Sequence, residues 1–409
     1  MNITPSDRTV IRDLARQVAE VAALPVMAER REMWKRHNAL RRVRAMVLVF
    51  PEGAWRELLP DGACRCEGER ARRIEGELRR RLYHHEHLHD DTVIEAEWFC
   101  DAVVHSTGWG LDVRWHESGD PTGAKGFDPV LHSRDDLKKL RLPEFTYDEA
   151  ATGRNHEAMS DLLGDLFEVK RRGVRHISFH LMQQFCNRRG LGQAMLDMAD
   201  DPQFVHDAMS IFAEGEWRRV QFYVDHGLLS LNNDSTYHSS GGNGYTDELP
   251  AAGFDGKHAR PRDMWASAES QELAQVSPEM HAEFSLAYET PLLEPFGLTG
   301  YGCCEDLTRK LDDVLAIPHV RRVSISPWAD VDVCAGKLGR RAIFSWKPNP
   351  AYLVGGFDTG RLRRYIRHTA DAAKDCVVEM ILKDTHTCQG RPERFTQWTD
   401  IAREIVLEG

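Results

Sequence analysis

The chain has 409 residues, 42% of them hydrophobic and 29% charged, with a formal net charge of -11 at pH 7. That leaves room for one large core of barrel size or for two domains, and no basic run stands clear of acidic neighbours as a nucleic-acid partner would require. No apolar run reaches the roughly 20 residues needed to cross a bilayer. The N-terminus lacks a secretory pattern, and nine cysteines follow no disulfide spacing, so a cytoplasmic protein without a membrane partner is expected.

Residues 5 to about 40 read as one or two helices. Leu14, Val18, Val21 and Ala22 recur at helical spacing, and Pro25 breaks the run before residues 27–40 resume it. Residues 43–51 are almost continuously apolar, interrupted by Arg44 and closed by Pro51, as a buried strand of a parallel sheet would be. Residues 71 to about 87 form the next predicted helix. Its basic stretch from Arg70 to Arg81 alternates with Glu75 and Glu77 and reads as a solvated face. Residues 92–96 are read as a second strand, and the Gly- and Trp-rich stretch 108–124 as a loop leaving the core.

From residue 155 the rhythm is regular. A helix over 155–172 leads to a strand at 174–180, and a long helical region follows, with a cap at Asp201-Pro202. A strand at 227–234 precedes a Gly-rich loop at 239–244. A helix over 277–296 starts with Ser277-Pro278 as cap and first turn. Strands at 297–303, 320–326, 341–346 and 377–382 then arrive in quick succession, and a helix from about 392 to 407 closes the series. This alternation predicts an α/β fold with a parallel sheet. A (β/α)8 TIM barrel over residues 41–409, with an N-terminal helical extension over 1–40, is preferred to an open doubly wound sheet. No G-x-G-x-x-G follows a strand.

Chemistry in such folds collects at strand exits. Leu298-Thr299-Gly300-Tyr301-Gly302-Cys303-Cys304-Glu305 ends a strand with two adjacent thiols and a carboxylate, and a helix is expected to begin at Glu305-Asp306. Lys383-Asp384-Thr385-His386-Thr387-Cys388 ends the last strand in a similar way. Zinc takes three or four N, S or O donors, and Cys303, Cys304 and His386 supply those types. The plainer alternative is a small core cysteine and a hydrogen-bonded loop histidine. Asp234, with Asn232, Asn233 and His238 beside it, could act as a base or simply form an Asx turn. Tyr245 follows the Gly-rich loop and could belong to a lid. Trp328, Asp330 and Lys347 follow later strands and are candidate ligand contacts. His84, His85, His87 and His89 precede a strand and are read as structural.

These strand-end phrases resemble the uroporphyrinogen decarboxylase superfamily. Ile381-Leu382-Lys383-Asp384-Thr385-His386-Thr387, running into Pro392-Glu393-Arg394, is similar to that family's last strand, its Gly-His-Gly or Pro-Gly-Cys turn and the following helix. Trp346-Lys347-Pro348-Asn349-Pro350 resembles the family's Gly-Asn-x-Asp-Pro stretch. Tyr301-Gly302-Cys303-Cys304-Glu305 resembles the His-x-Cys-Gly turn of its methyltransferase branch. Two departures stand out. Phe50-Pro51-Glu52-Gly53-Ala54-Trp55 occupies the place of the decarboxylase's Arg-Gln-Ala-Gly-Arg loop without an arginine pair, so the bidentate clamp for substrate carboxylates is missing. The expected His two residues before the Cys is Tyr301 or Gly302, which leaves Cys388 or Glu305 in reserve as donors.

The resemblance implies a TIM barrel that acts as a zinc-dependent methyltransferase or demethylase. It would move a methyl group between a small substrate (an amine, ether or thioether) and a corrinoid, either a bound cobalamin or a separate corrinoid protein. Cys303, Cys304 and His386 would hold zinc. Asp234, His238 or Glu305 would handle a proton, and Trp328, Lys347 and Tyr245 would touch substrate. A homodimer is also implied. The runner-up is a metal-free decarboxylase-like lyase acting on a small carboxylated substrate. A catalytically silent barrel that binds a ligand or a protein is the third reading.

Overall fold

The computed structural model describes residues 3–408 except 118, 120–122, 124 and 239. The very N-terminus, part of the 108–124 stretch and the first residue of the Gly-rich loop therefore lie outside the described residues. The chain divides into two compact units. The first comprises Met1–Ala102, Glu149–Arg172 and Gly339–Gly409, and the second Val103–Asp148 and Gly173–Leu338. The protein is mixed α/β, with a three-stranded and a two-stranded parallel sheet in the first unit and four parallel strands in the second. A closed eight-stranded ring is not formed among the described residues.

In the first unit the break at Pro25 separates two helices, Pro5–Ala22 and Pro25–Asn38. Thr4 caps the first by accepting from the Asp7 amide, and Pro25 supplies the pre-set φ of a first helical turn. Ile11, Leu14, Ala15 and Val18 form the buried stripe of Pro5–Ala22, which packs on the helix Glu69–Tyr83. The strand Val377–Leu382 lies between Met46–Val49 and Ile343–Trp346, all parallel and buried, which explains their largely apolar runs, interrupted only by Ser345 and Glu379.

The second strand predicted at 92–96 does not form. Asp90 and Asp91 instead turn their carboxylates onto the free edge of Met46–Val49. The Val49 amide donates to Asp90 Oδ2 at 2.9 Å and the Val47 amide to Asp91 Oδ2 at 2.8 Å. These side chains satisfy donors that a neighbouring strand would otherwise take. The pairing strand begins later, at Glu97–Asp101, and joins Glu168–Arg172 in a separate two-stranded sheet.

The interior of this unit carries one polar chain. His37 Nε2 lies 3.1 Å from Glu379 Oε2, Ser345 Oγ donates to Glu379 Oε1 at 2.5 Å, and Lys347 Nζ donates to Ser345 Oγ at 2.6 Å. All four residues are buried.

In the second unit the parallel strands stand in the order Ser178–Phe179, Trp265–Ala268, Leu298–Tyr301 and Val320–Ile325. The strand expected at 227–234 reduces to a single bridge between Leu229 and Val174. The cause is Asn232, whose amide donates to Arg175 O (2.7 Å) and Trp265 O (2.9 Å) and accepts from the Trp265 amide (2.9 Å). One side chain stands where a run of backbone would otherwise pair. The strand Trp265–Ala268 was not read from the sequence.

Three helices, Leu181–Arg189, Leu191–Asp200 and Pro202–Asp225, fill the long helical region, with Asp201 capping the last. The helix predicted from Ser277 is capped by that residue and passes through a π-helical turn, Ala282–Leu286. The Gly- and Trp-rich stretch contains a small antiparallel pair, Arg114–His116 with Gly126–Asp128. No helix among the described residues is long and apolar enough to cross a membrane.

Candidate functional site at the strand exits

Three strands of the second unit end on one rung. Ala268 pairs with Phe179 on one side and with Tyr301 on the other. The ladder runs one step further, since the Glu269 amide donates to Phe179 O and the Gly302 amide to Ala268 O. His180, Glu269 and Gly302 are therefore neighbours across three strand exits.

His180 Nδ1 sits 2.5 Å from Glu269 Oε1. The glutamate is 3% exposed, and the imidazole side chain 30%. Burial alone would push His180 down, but the hydrogen bond and charge of Glu269, with Glu272 and Glu216 behind it, outweigh burial and raise it. Glu272 is pushed up to about 7 by burial and by the charges of Glu269 and Glu305. Glu305 is raised by burial and by Glu269. The second carboxylate oxygens of Glu269 and Glu272 are buried without a hydrogen-bond partner among the described residues, an uncommon state for such atoms.

The thiols come next. No helix starts at Glu305, contrary to the sequence expectation, because its carboxylate folds back to accept from the Cys303 amide (2.7 Å) and the Ser270 amide (3.2 Å). Helical structure resumes only at Leu311–Val314. The turn requires Gly302, whose φ is +89° and whose added Cβ would meet Leu307 Cδ1 at 2.7 Å. Ser324 Oγ donates to Cys303 O, and the Cys303 and Cys304 sulfurs lie 3.6 Å apart.

Beneath the exits lies a buried polar layer. Tyr301 OH and Ser285 Oγ donate to Glu289 Oε2 (2.9 and 2.7 Å), Ser270 Oγ donates to Oε1, and His281 Nε2 lies 2.9 Å from Tyr301 OH. Burial pushes Glu289 up to about 8 and His281 down to about 3, so both are neutral at pH 7.

The remaining sequence candidates take plainer places. Asp234 forms an Asx turn, accepting from the Thr236 amide at 2.8 Å and from the Thr236 hydroxyl. His238 is fully buried against Trp265, and burial and the Arg322 charge hold it well below its ordinary value. It is thus a neutral core histidine and not a solvent-reached base. Tyr245 is buried and so is no lid tip. Trp328 is 70% exposed.

In the first unit Lys347 is buried and donates to Ser345, which ties it into the polar chain and away from any exposed ligand contact. His386 is exposed. Arg56 donates to its carbonyl at 2.8 Å, and a Cβ on Gly53 would meet its Cα and Nδ1 at 3.3 Å. Cys388, a reserve donor, gives its thiol proton to Glu57 Oε2 at 3.1 Å, and burial and Glu57 push that thiol up to about 11. It is a protonated, committed thiol. His84 faces Asp90 at 3.5 Å and His89 faces Asp400 at 3.1 Å, the structural roles expected.

Among the described residues no three His, Cys, Asp or Glu side chains are gathered as a metal ion would hold them. A cavity of about 590 Å³ in the first unit, lined by Arg42, Arg44, Ala45 and Cys376, lies beside the strand starts and so at the end away from the exits.

Sequence reasoning missed His180, Glu269 and Glu272. The signal available was His180 as the last residue of a predicted strand. The two glutamates followed a strand that went unread. No family model and no curated relative matches the chain. Among solved structures it is similar to a methyltransferase from Methanosarcina mazei, with 91% of this chain and 97% of that one covered, a TM-score of 0.53 and 11% identity. At that identity the likeness establishes a shared mixed α/β fold.

Proposed function

We propose that the protein is a methyltransferase and, more finely, a zinc-dependent one that moves a methyl group between a small substrate and a corrinoid carried by a partner protein. The observation that carries this reading is the Cys303–Cys304 pair, held at a strand exit by Gly302 and Glu305 with sulfurs 3.6 Å apart. The similarity to a methyltransferase supports the same direction. The donor types suit zinc, with Cys303 and Cys304 as two ligands. Further donors would have to come from side chains that the described arrangement does not gather. Zinc, when bound, would hold a sulfur as thiolate.

The chain's own residues do the rest. Glu305 fixes the thiol-bearing turn through the Cys303 amide, and Ser324 holds the same residue's carbonyl. The crowded carboxylates favour a neutral or cationic substrate such as an amine or thiol. That charge, together with the absence of an arginine pair at residues 50–55, disfavours the lyase reading, whose substrate carries a carboxylate.

The test is metal content after purification without chelator, in the native chain, in Cys303→Ser/Cys304→Ser and in His386→Ala. About one zinc per chain, lost in the double variant, is expected. The His386→Ala arm decides whether that residue belongs to the set. No metal in the native chain after zinc is offered overturns the zinc reading. Methyl transfer itself is read with methylcobalamin as donor and 2-mercaptoethanol as acceptor, by the change in cobalamin absorbance.

A further inference from the structure

Two adjacent strand exits bring one imidazole and one buried carboxylate into contact, and no proton transfer described above uses them. His180 directly follows Phe179 and Glu269 directly follows Ala268, and those two strand residues pair in register. The backbone then joins the two exits, since the Glu269 amide donates to Phe179 O at 3.2 Å. His180 precedes the helix Leu181–Arg189, and its carbonyl accepts from the Gln184 amide, so its main chain is fixed from both sides. The two side chains meet at 2.5 Å.

The pair is asymmetric. The carboxylate end is shut off from solvent at 3% exposure, while the imidazole keeps 30%. A carboxylate accepts and does not donate, so it fixes the proton on Nδ1 and leaves Nε2 as the nitrogen open to exchange. The other carboxylate oxygen of Glu269 is buried and has no hydrogen-bond partner among the described residues. Stability alone does not account for such an arrangement, because a buried carboxylate with an unsatisfied oxygen is costly. The titratable groups around the ring are Glu269 and Glu272 from the neighbouring exit, Glu216 from the helix Pro202–Asp225, and His176 from the segment leading into its own strand. From Glu269 the path to the thiols is short in bonds: the next residue, Ser270, donates its amide to Glu305, which accepts from the Cys303 amide.

We propose that His180 is the acid–base residue of the strand-exit site, with Glu269 as its positioning residue, and that Nε2 exchanges one proton with the heteroatom that gains or loses the methyl group. The substrate class is a small thiol, phenol or amine. In the accepting direction the X–H bond breaks, the proton passes to Nε2, and the electron pair stays on X, which is then free to take the methyl group. In the reverse direction His180 returns the proton to the departing heteroatom. The identity of X rests on the methyltransferase reading; the acid–base pair does not.

The experiment uses the full chain with 15N-labelled histidine, comparing wild type, Glu269→Gln, His180→Asn and His180→Gln. The His180 signal is identified by its loss in the two His180 variants. It is expected to report an Nδ1-protonated tautomer when neutral, with a titration midpoint above the ordinary histidine value that falls in Glu269→Gln. The opposite tautomer, or a titration indifferent to Glu269→Gln, overturns the pair.

The second arm is the rate of 2-mercaptoethanol methylation from methylcobalamin. His180→Asn and His180→Gln should lower it by about 10²- to 10⁴-fold with thermal melting preserved. The acidic limb of the rate profile should move to lower pH in Glu269→Gln. An unchanged rate in a folded His180 variant overturns the role. A wild type that titrates as expected but transfers no methyl group refutes the methyltransferase reading while upholding the acid–base pair, so the two failures are distinguishable.

Discussion

In the first unit a histidine, a carboxylate, a hydroxyl and an ammonium group, His37, Glu379, Ser345 and Lys347, follow one another through the core, each within hydrogen-bond reach of the next. In the second unit Glu269, Glu272 and Glu305 crowd a strand exit with one imidazole among them, and two of their oxygens have no hydrogen-bond partner among the described residues. Both arrangements bury ionisable groups. The first gives both oxygens of its carboxylate, Glu379, a hydrogen-bond partner and so specifies a packing. The second leaves part of that burial uncompensated and shows the strain as displaced proton affinities, a mark of sites arranged for chemistry.

The largest expected effect tests the closed chain. Glu379→Ala removes the carboxylate that His37 and Ser345 share and to which Lys347 is linked through Ser345, and should cost about 3–5 kcal/mol in urea unfolding. A loss below about 1 kcal/mol would mean the chain is not a unit. The comparison sharpens with pH, because the two units carry carboxyls shifted in opposite directions. Glu272 is raised from 4.5 to about 7, so folding favours its proton: its contribution is intact below pH 4.5 and is lost as pH rises through about 7. Glu272→Gln should therefore stabilise the protein by roughly 1–3 kcal/mol at pH 8.5 and change little at pH 4.

Glu57 in the first unit runs the other way. Burial would raise it, but bonds from Thr387, Gly390 and Cys388 outweigh burial and lower it to about 2. Its contribution is present above pH 4.5 and fades as pH falls toward 2. Glu57→Gln should cost about 1 kcal/mol at pH 7 and nothing near pH 2, read from melting curves. Smallest of all, Trp328→Ala at a largely exposed position should leave stability within about 0.5 kcal/mol. A larger drop would show that the ring is covered in solution.

The strands at residues 343–346 and 377–382 were legible because each is a short, mostly apolar run, and those at 298–301 and 320–325 by their place in the strand–helix alternation. The break at Pro25 was legible because proline fixes φ and removes a donor. Trp265–Ala268 was not: Trp-Ala-Ser-Ala has small residues and no alternation, and with it went Glu269 and Glu272. The strands at 92–96 and 227–234 were over-read, since Asp90, Asp91 and Asn232 replace backbone pairing with side chains, which no periodicity reports. Cys303, Cys304 and Glu305 were found from type and position. His180 was passed over because its one signal, a histidine at the end of a predicted strand, gains weight only once its neighbour across the rung is known.

The division of the chain has a consequence for its biogenesis. His37 and Glu379 are 342 residues apart in sequence, and the strand Met46–Val49 pairs with Val377–Leu382. A nascent chain emerging from the ribosome thus exposes its first strand and an unmatched histidine until almost everything else has been made. Gly173–Leu338, by contrast, is one continuous run that contains all four parallel strands of the second unit. That unit can organise its sheet during synthesis, while the first must be sheltered, by chaperones or by the speed of the remaining translation, from pairing its waiting edge with another copy.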